Sequence, residues 1–589
     1  MGLAVLALAA PGIAEAELTP FGHTCKLQYG VRFCPTDTLE QRVPSFDKVP
    51  LDVDVTLPPT GVGPFPTIVA LHGWGSGNSK TNYEATTPEG EGGLGYDNNN
   101  IYYAEHGYAF VTYSARGWDN SCGTEESRKN TPACEKGWTH LADERYEARD
   151  TQYLLGLLVD EKIAKASALG VTGFSYGAGQ TVELAYLKNR IRLPNGEFAP
   201  WTSPKGKALS IKAAFALAPW ADLVSALMPN GRFNSGEVPP FGQSYEPMGV
   251  ELLSYVNGLY ALANTGAGYL PPPGEDPEAD LTGWDALIDG GEPYETTEDE
   301  AIAHQIYTYH GALGIALSGK PAPMLLASGW TDGLFPVEQS QRIYDQVRAV
   351  KGYVAVMLGD AGHPPADNKT NTFRALAEAG GPFFAAKLKH EGTTLKNGSV
   401  TAYTQTCPLS APGGGPFIAS RWSKLSTRTL TFGSSEPQTF TSAGGNSAIA
   451  AEFDPVVLDE ESEKACHTTR AEPEPNTANY TMISPGFTML GRPTITATIK
   501  TTGLYGEIAG RLWDVLSSGE QRLISRGVYR LTENQTGTIT FHLHGNGYEF
   551  AKGDTVKLQL LGRDAPAYRP SNGTFAVEAA KVSVALPTT

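Results

Sequence analysis

The chain has 589 residues, 41 % apolar and 18 % charged, and its 63 acids against 45 bases leave a net charge of −18. That length implies about two to four domains, and the apolar fraction is enough to give each a core. An acidic chain without a Lys/Arg run argues against nucleic-acid binding, and no apolar stretch of about 18 residues follows the N-terminus to span a membrane.

Residues 2–10 (GLAVLALAA) are an apolar run, followed by Ala14-Glu15-Ala16 and the polar Glu17-Leu18-Thr19-Pro20. This is the order of a signal-peptide core and its small-residue cleavage site, although a basic start is missing. Residues 1–16 are therefore expected to be a leader, and the protein secreted, periplasmic or held in the cell envelope. The six cysteines agree with export, because an even count without zinc-like spacing favours disulfides. Taken as consecutive pairs they are Cys25–Cys34, Cys122–Cys134 and Cys407–Cys466.

The alternating segment Leu51–Leu57 reads as an edge strand or hairpin arm. A βα rhythm follows. Pro66–Leu71 is a continuous apolar run ending in His72-Gly73-Trp74-Gly75, and Tyr108–Tyr113 ends in Ser114-Ala115-Arg116-Gly117. A helical stretch over 142–160 precedes Ala168–Gly173, and a second helix is expected over 179–189. Further strands are expected over 213–218, 324–328 and 353–358. Such runs separated by helices indicate a doubly wound, mostly parallel sheet, which binds ligands beyond the carboxyl ends of its strands. Residues 222–320 interrupt the rhythm with Pro271-Pro272-Pro273, helical stretches over 249–264 and 298–316, and many acids; they read as an inserted helical cap. The cap acids Glu246, Glu251, Asp276, Glu278, Asp280, Glu298, Asp299 and Glu300 mostly lie in polar runs and are expected on solvated faces. From about residue 400 helical patterning gives way to alternating segments such as 494–499, 538–543 and 555–560, the pattern of an all-β domain. The expected division is 17–221 and 321–395 for the α/β domain, 222–320 for the cap and 396–589 for the β domain.

Gly173-Phe174-Ser175-Tyr176-Gly177 matches G-x-S-x-G. Glycine is frequent here, so the pentapeptide alone says little; its place between a strand and a helix says more. A serine hydroxyl needs a base to take its proton and an acid to orient that base, in the chain order Ser, acid, His. Asp332 and His363 meet that order at the ends of two later strands. Asp360 is a substitute acid, while His304 and His310 lie in the cap and His390 beyond the sheet. The backbone N–H groups of Tyr176, after the nucleophile, and Trp74, in the H-G-x-G turn, are the candidate oxyanion donors. His72 reads as a structural hydrogen bonder, and His542 and His544 as surface residues rather than metal ligands.

GFSYG, GWTDG and the Gly-His turn together resemble the α/β-hydrolases related to cocaine esterase and the X-prolyl dipeptidyl peptidases, the CocE/NonD acyl esterases. Ser114–Gly123 is similar to that family's D-x-R-G-x-G-x-S-x-G turn, Asp150 precedes the elbow helix, and Leu490–Pro493, Leu512–Asp514, Gly527–Arg530 and Ala567–Pro570 look like its jelly-roll domain. Two departures stand out: the family's Pro-Tyr is Gly73-Trp74 here, and its Asp before the R-G turn is Ser114. The resemblance implies an α/β-hydrolase with a jelly-roll, acting without metal or organic cofactor on a small-molecule ester or, alternatively, an X-Pro peptide. A third reading is a non-catalytic carbohydrate-binding scaffold.

Overall fold

The computed structural model describes residues 18–75, 80–87, 96–232, 247–294, 296–456 and 464–589; the expected leader, residues 1–16, and Glu246 lie outside these. The apolar runs form one eleven-stranded sheet. Its strands are β1 (Lys26–Gln28), β2 (Val31–Cys34), β3 (Val53–Leu57), β4 (Phe65–Leu71), β5 (Ala109–Tyr113), β6 (Ala164–Phe174), β7 (Ile211–Leu217), β8 (Met324–Gly329), β9 (Val354–Gly359), β10 (Val400–Thr404) and β11 (Gly414–Ala419). The spatial order is β1-β2-β3-β5-β4-β6-β7-β8-β9-β10-β11. Neighbours from β5 through to β10 run parallel, and both ends of the sheet are antiparallel. This is the sheet of an α/β-hydrolase, with helices on both faces.

Two of those helices frame the centre: α1 (Glu147–Asp160) and α2 (Tyr176–Leu187). The first begins later than the expected residue 142. Leu141 and Ala142 both take positive φ, 55° and 62°, which no right-handed helix accommodates.

β3 departs from the edge position expected for Leu51–Leu57. It lies between β2 and β5 with every residue buried. Its alternating acids do not face water: Lys80 Nζ donates to Asp52 Oδ1 at 2.7 Å and to Asp54 Oδ1 at 2.8 Å. A partly buried cation thus substitutes for solvent. The expected boundary at 395/396 also shifts. β10 pairs parallel with β9, and β11 closes the sheet beside it, so the α/β unit extends to about residue 419. Short antiparallel additions carry the same alternation as a β-sandwich, which is why the pattern did not separate them.

The cap consists of α3 (Leu223–Leu227), α4 (Leu253–Thr265), α5 (Leu281–Gly290) and α6 (Thr297–Tyr309), and chain returns to the sheet before β8. Beyond β8, α7 (Val337–Ala349) leads to β9. The C-terminal domain stacks a seven-stranded and a five-stranded antiparallel sheet around Phe440, Ile495, Leu512, Phe541 and Val584. It docks on the rest through polar contacts: Arg530 reaches Met248 O and Glu292, and His544 Nδ1 pairs with Glu338 Oε1 at 2.6 Å. His544 therefore sits in an interface rather than on the surface. The cysteines pair as Cys25–Cys34, Cys122–Cys134 and Cys407–Cys466, the last tying the segment after β10 to the β domain.

Candidate active site

β6 delivers the chain to Ser175 at the centre of the sheet, and α2 leaves immediately. So sharp a reversal puts Ser175 at φ 54°, ψ −116°, a conformation that costs a non-glycine residue energy. The motif's second glycine explains itself by contact. A Cβ on Gly177 would lie 2.0 Å from Leu71 O on β4, so only glycine lets the helix start this close to the sheet. The positive end of α2 points at the serine.

Asp332 follows β8, and its side chain is fully buried. Oδ1 accepts from Leu334 N at 2.9 Å and Phe335 N at 2.8 Å, while Oδ2 accepts from His363 N at 3.1 Å and from His363 Nδ1 at 2.8 Å. Four donors for one carboxylate leave it no room to rotate. Gly362 allows that approach, because a Cβ there would fall 2.2 Å from Asp332 Oδ2. His363 follows β9, and its ring is held between Phe174, stacked at 5.3 Å, and the edge of Phe335 at 5.1 Å. With Nδ1 donating to Asp332, Nε2 is left to accept from Ser175 Oγ at 2.6 Å. Ser175, His363 and Asp332, expected from the G-x-S-x-G motif, the strand ends and chain order, thus form one hydrogen-bonded line across three strand ends.

The competing residues lie elsewhere. Asp360 accepts from Thr331 Oγ1 and Asp367 N, and burial together with Asp367 pushes its carboxyl up to about 6. His310 is buried between cap and sheet, with Nδ1 donating to Leu141 O. His72 Nδ1 donates to Gly73 O and Nε2 accepts from Ala115 N; burial lowers it to about 4 and keeps it neutral. Its ring fixes the H-G-x-G turn that carries Trp74. The R-G turn is supported despite Ser114: Arg116 is clamped by Asp150 and Asp47, and Ser121 Oγ bridges Asp52 N and Ser114 O.

Beside Ser175 lies a cavity of about 120 Å³, walled by Tyr176 and Trp74 on one side and by α3–α6 and Phe335 on the other. Sequence reasoning did not find it. The i, i+3, i+7 spacing of Leu281, Trp284 and Ile288 marks an apolar helix face, but spacing cannot say whether such a face fills a core or lines a space. Asp285 is the one ionisable carboxylate among the described lining residues, pushed up to about 6 by burial and by Asp289 one turn on. Glu147 was also missed: it accepts from Tyr176 OH, His140 N and Asp143 N, fixing both Tyr176 and the strained turn that carries Leu141 into the cavity.

The cap acids expected on solvated faces divide. Glu298 and Glu300 are exposed. Asp276 accepts from Trp138 Nε1, Glu278 from Arg145 and Tyr146, and Asp280 and Asp299 cap helix N-termini. Glu251 is fully buried. None of these lines the cavity.

Residues 47–191 match the family model of the X-Pro dipeptidyl-peptidase (S15 family). Among solved structures, a CocE/NonD family hydrolase from Staphylococcus aureus is 14 % identical, with 95 % of this chain and 94 % of that one covered at a TM-score of 0.57. An α-amino acid ester hydrolase is 15 % identical, covering 99 % and 100 % at 0.56. An aminopeptidase from a marine sediment archaeon of the Thaumarchaeota is 13 % identical, covering 100 % and 99 % at 0.57. These likenesses establish the shared fold over the whole chain. No curated protein matches the sequence.

Proposed function

We propose that this chain, a serine hydrolase of the S15 and CocE/NonD type, cleaves carboxylic esters through an acyl-enzyme on Ser175. The observation that carries the reading is the line from Ser175 Oγ through His363 to Asp332, at 2.6 and 2.8 Å. Ser175 Oγ attacks the ester carbonyl as its proton passes to His363 Nε2. Asp332 then faces an imidazolium rather than an imidazole, and its four donors hold the carboxylate in place to orient and stabilise it. Negative charge forming on the carbonyl oxygen is met by the N–H groups of Tyr176 and Trp74 and by the positive end of α2. His363 returns the proton to the leaving oxygen, and a water repeats the sequence to free the acid. No step calls for a metal or an organic cofactor.

Two considerations support an ester over an X-Pro peptide. A dipeptidyl peptidase must hold its substrate's ammonium group, and the cap acids Glu278, Asp276 and Asp280 are spent on Arg145, Trp138 and a helix cap, which leaves Asp285 as the one carboxylate among the described residues lining the cavity. An amine also leaves only after full protonation, whereas an alkoxide leaves more readily. The S15 model match favours the peptidase as the second reading. Short-chain ethyl and p-nitrophenyl esters are expected to exceed Gly-Pro and Ala-Pro anilides by at least about tenfold in kcat/KM. X-Pro anilides that outrun unactivated alkyl esters, and that lose cleavage on N-acetylation, would make the enzyme a peptidase. The three disulfides and the leader-like N-terminus support export; cell fractionation of the native protein tests that directly.

A further inference from the structure

We propose that Tyr255, on cap helix α4, is a positioning residue for His363, through which the cap sets the aim of the catalytic base. This rests on Ser175 and His363 being nucleophile and base.

The backbone of His363 is pinned on both sides. Before the side chain, His363 N donates to Asp332 Oδ2 at 3.1 Å. After it, the oxygen of Pro364 accepts from Gly333 N at 3.2 Å and from Tyr255 OH. The contacts to Asp332 and Gly333 tie the histidine loop to the neighbouring loop of the sheet edge. The contact to Tyr255 comes from the cap. Bonds within the sheet edge let the two loops shift as a pair, whereas a bond from a separate helix fixes where the pair stands.

Tyr255 is built for this task. It is buried, and its ring packs on Gly333, where an added Cβ would lie 3.4 Å from Tyr255 Cε2. Burial, with Asp332 and Asp454 nearby, holds its phenol well above the ordinary value, so the hydroxyl remains a donor. The helix that carries it is itself anchored. Ser254 N donates to Pro566 O at 3.2 Å and Ser254 Oγ to Asp454 Oδ2 at 2.5 Å, and both acceptors belong to the β domain. One turn further along α4, Leu259 O accepts from Trp74 Nε1 at 2.9 Å. Residues 255 and 259 stand four apart, on one side of the helix. A single helix therefore grips both the histidine loop and the turn whose Trp74 N–H is the proposed oxyanion donor.

A general base works only while its nitrogen stays in line with the proton it takes, and a misplacement of about 1 Å costs on the order of a hundredfold. With the bonds to Asp332 and Gly333 still in place, loss of the Tyr255 bond is a smaller disturbance, of about tenfold.

The experiment compares the full chain with Tyr255→Phe, which removes only the hydroxyl, and with Asn257→Ala, a change at an exposed residue of the same helix. With p-nitrophenyl acetate, kcat is expected to fall about tenfold in Tyr255→Phe while KM stays within about twofold, because His363 serves both halves of the reaction. Asn257→Ala is expected to match the wild type. Labelling of Ser175 by a fluorophosphonate should slow by the same factor as kcat. Added to His363→Ala, Tyr255→Phe should change the remaining labelling rate by less than about twofold, since no imidazole is left to aim. Should Tyr255→Phe fail to fold, Ser254→Ala, which releases the same turn from Asp454, must lower kcat at least about threefold with KM held. Four results overturn the proposal: a folded Tyr255→Phe with wild-type kcat, a loss confined to KM, an equal loss in Asn257→Ala, or a loss as large without His363 as with it. Turnover that survives Ser175→Ala is a different failure, that of the nucleophile assignment itself.

Discussion

The carboxyl edge of the large sheet and the inner face of the cap meet at Ser175 and are made of opposite materials. On the sheet edge, polar atoms are held by several short contacts each: Asp332 accepts four hydrogen bonds, and His72 uses both ring nitrogens. On the cap, helices present mostly carbon, with Asp285, whose Oδ1 is buried without a hydrogen-bond partner, the one carboxylate among the described lining residues. Hydrogen bonds fix atoms in direction as well as distance, whereas apolar packing fixes only shape. The edge is therefore suited to one reaction and the cap to choosing among substrates.

Breaking the edge is expected to lower turnover of every ester alike. Ser175→Ala should reduce kcat by on the order of a thousandfold or more, and Asp332→Asn by on the order of a hundredfold or more, since the imidazole then loses its orientation but not its existence. Steady-state kinetics with acetyl and hexanoyl esters measure both, and the ratio between the two esters should hold. Trp284→Ala, in the cap wall, is the converse. It should lower the hexanoyl-to-acetyl ratio by about tenfold through lost apolar contact.

Gly177→Ala sharpens the comparison by disturbing the edge through shape. Its methyl would fall on Leu71 O at 2.0 Å, so helix α2 has to move. Overpacking of this kind costs about 1–3 kcal/mol. Thermal melts and kinetics together should show a lowered Tm and a lowered kcat, whereas a surface alanine would leave both alone.

The smallest expected effect concerns pH and the far side of the cap. Glu251 is buried next to Asp289, and burial pushes its carboxyl up to about 8 from an ordinary value near 4.5. The folded protein thus prefers this group protonated. Its contribution to stability is complete below pH 4.5 and is lost as pH rises toward 8. Glu251→Gln should remove that loss, so its Tm advantage over wild type should grow by about 2–4 °C between pH 5 and pH 8.5.

What could be read from the sequence follows the same division. Strand runs, the elbow and the order Ser175, Asp332, His363 were legible because each is a local pattern: apolar runs make strands, and strand ends make the site. Asp52 and Asp54 misled, since their alternation implies water on one face and nothing local announces Lys80 beneath them. β10 and β11 were misassigned because alternation does not say which sheet a strand joins. The cavity was invisible for a related reason. Its walls come from segments more than 250 residues apart, from Trp74 to Phe335, and each reads locally as ordinary core. Asp285 differs from the other cap acids only in where α5 packs.

The central claim is that Ser175 carries the reaction with His363 as its base. Reaction of the full chain with a fluorophosphonate, followed by peptide mapping, tests it in one step. The account predicts a single stoichiometric adduct on Ser175, absent in Ser175→Ala and slowed at least a hundredfold in His363→Ala. An adduct on another serine, or labelling of Ser175 at the wild-type rate without His363, would contradict it.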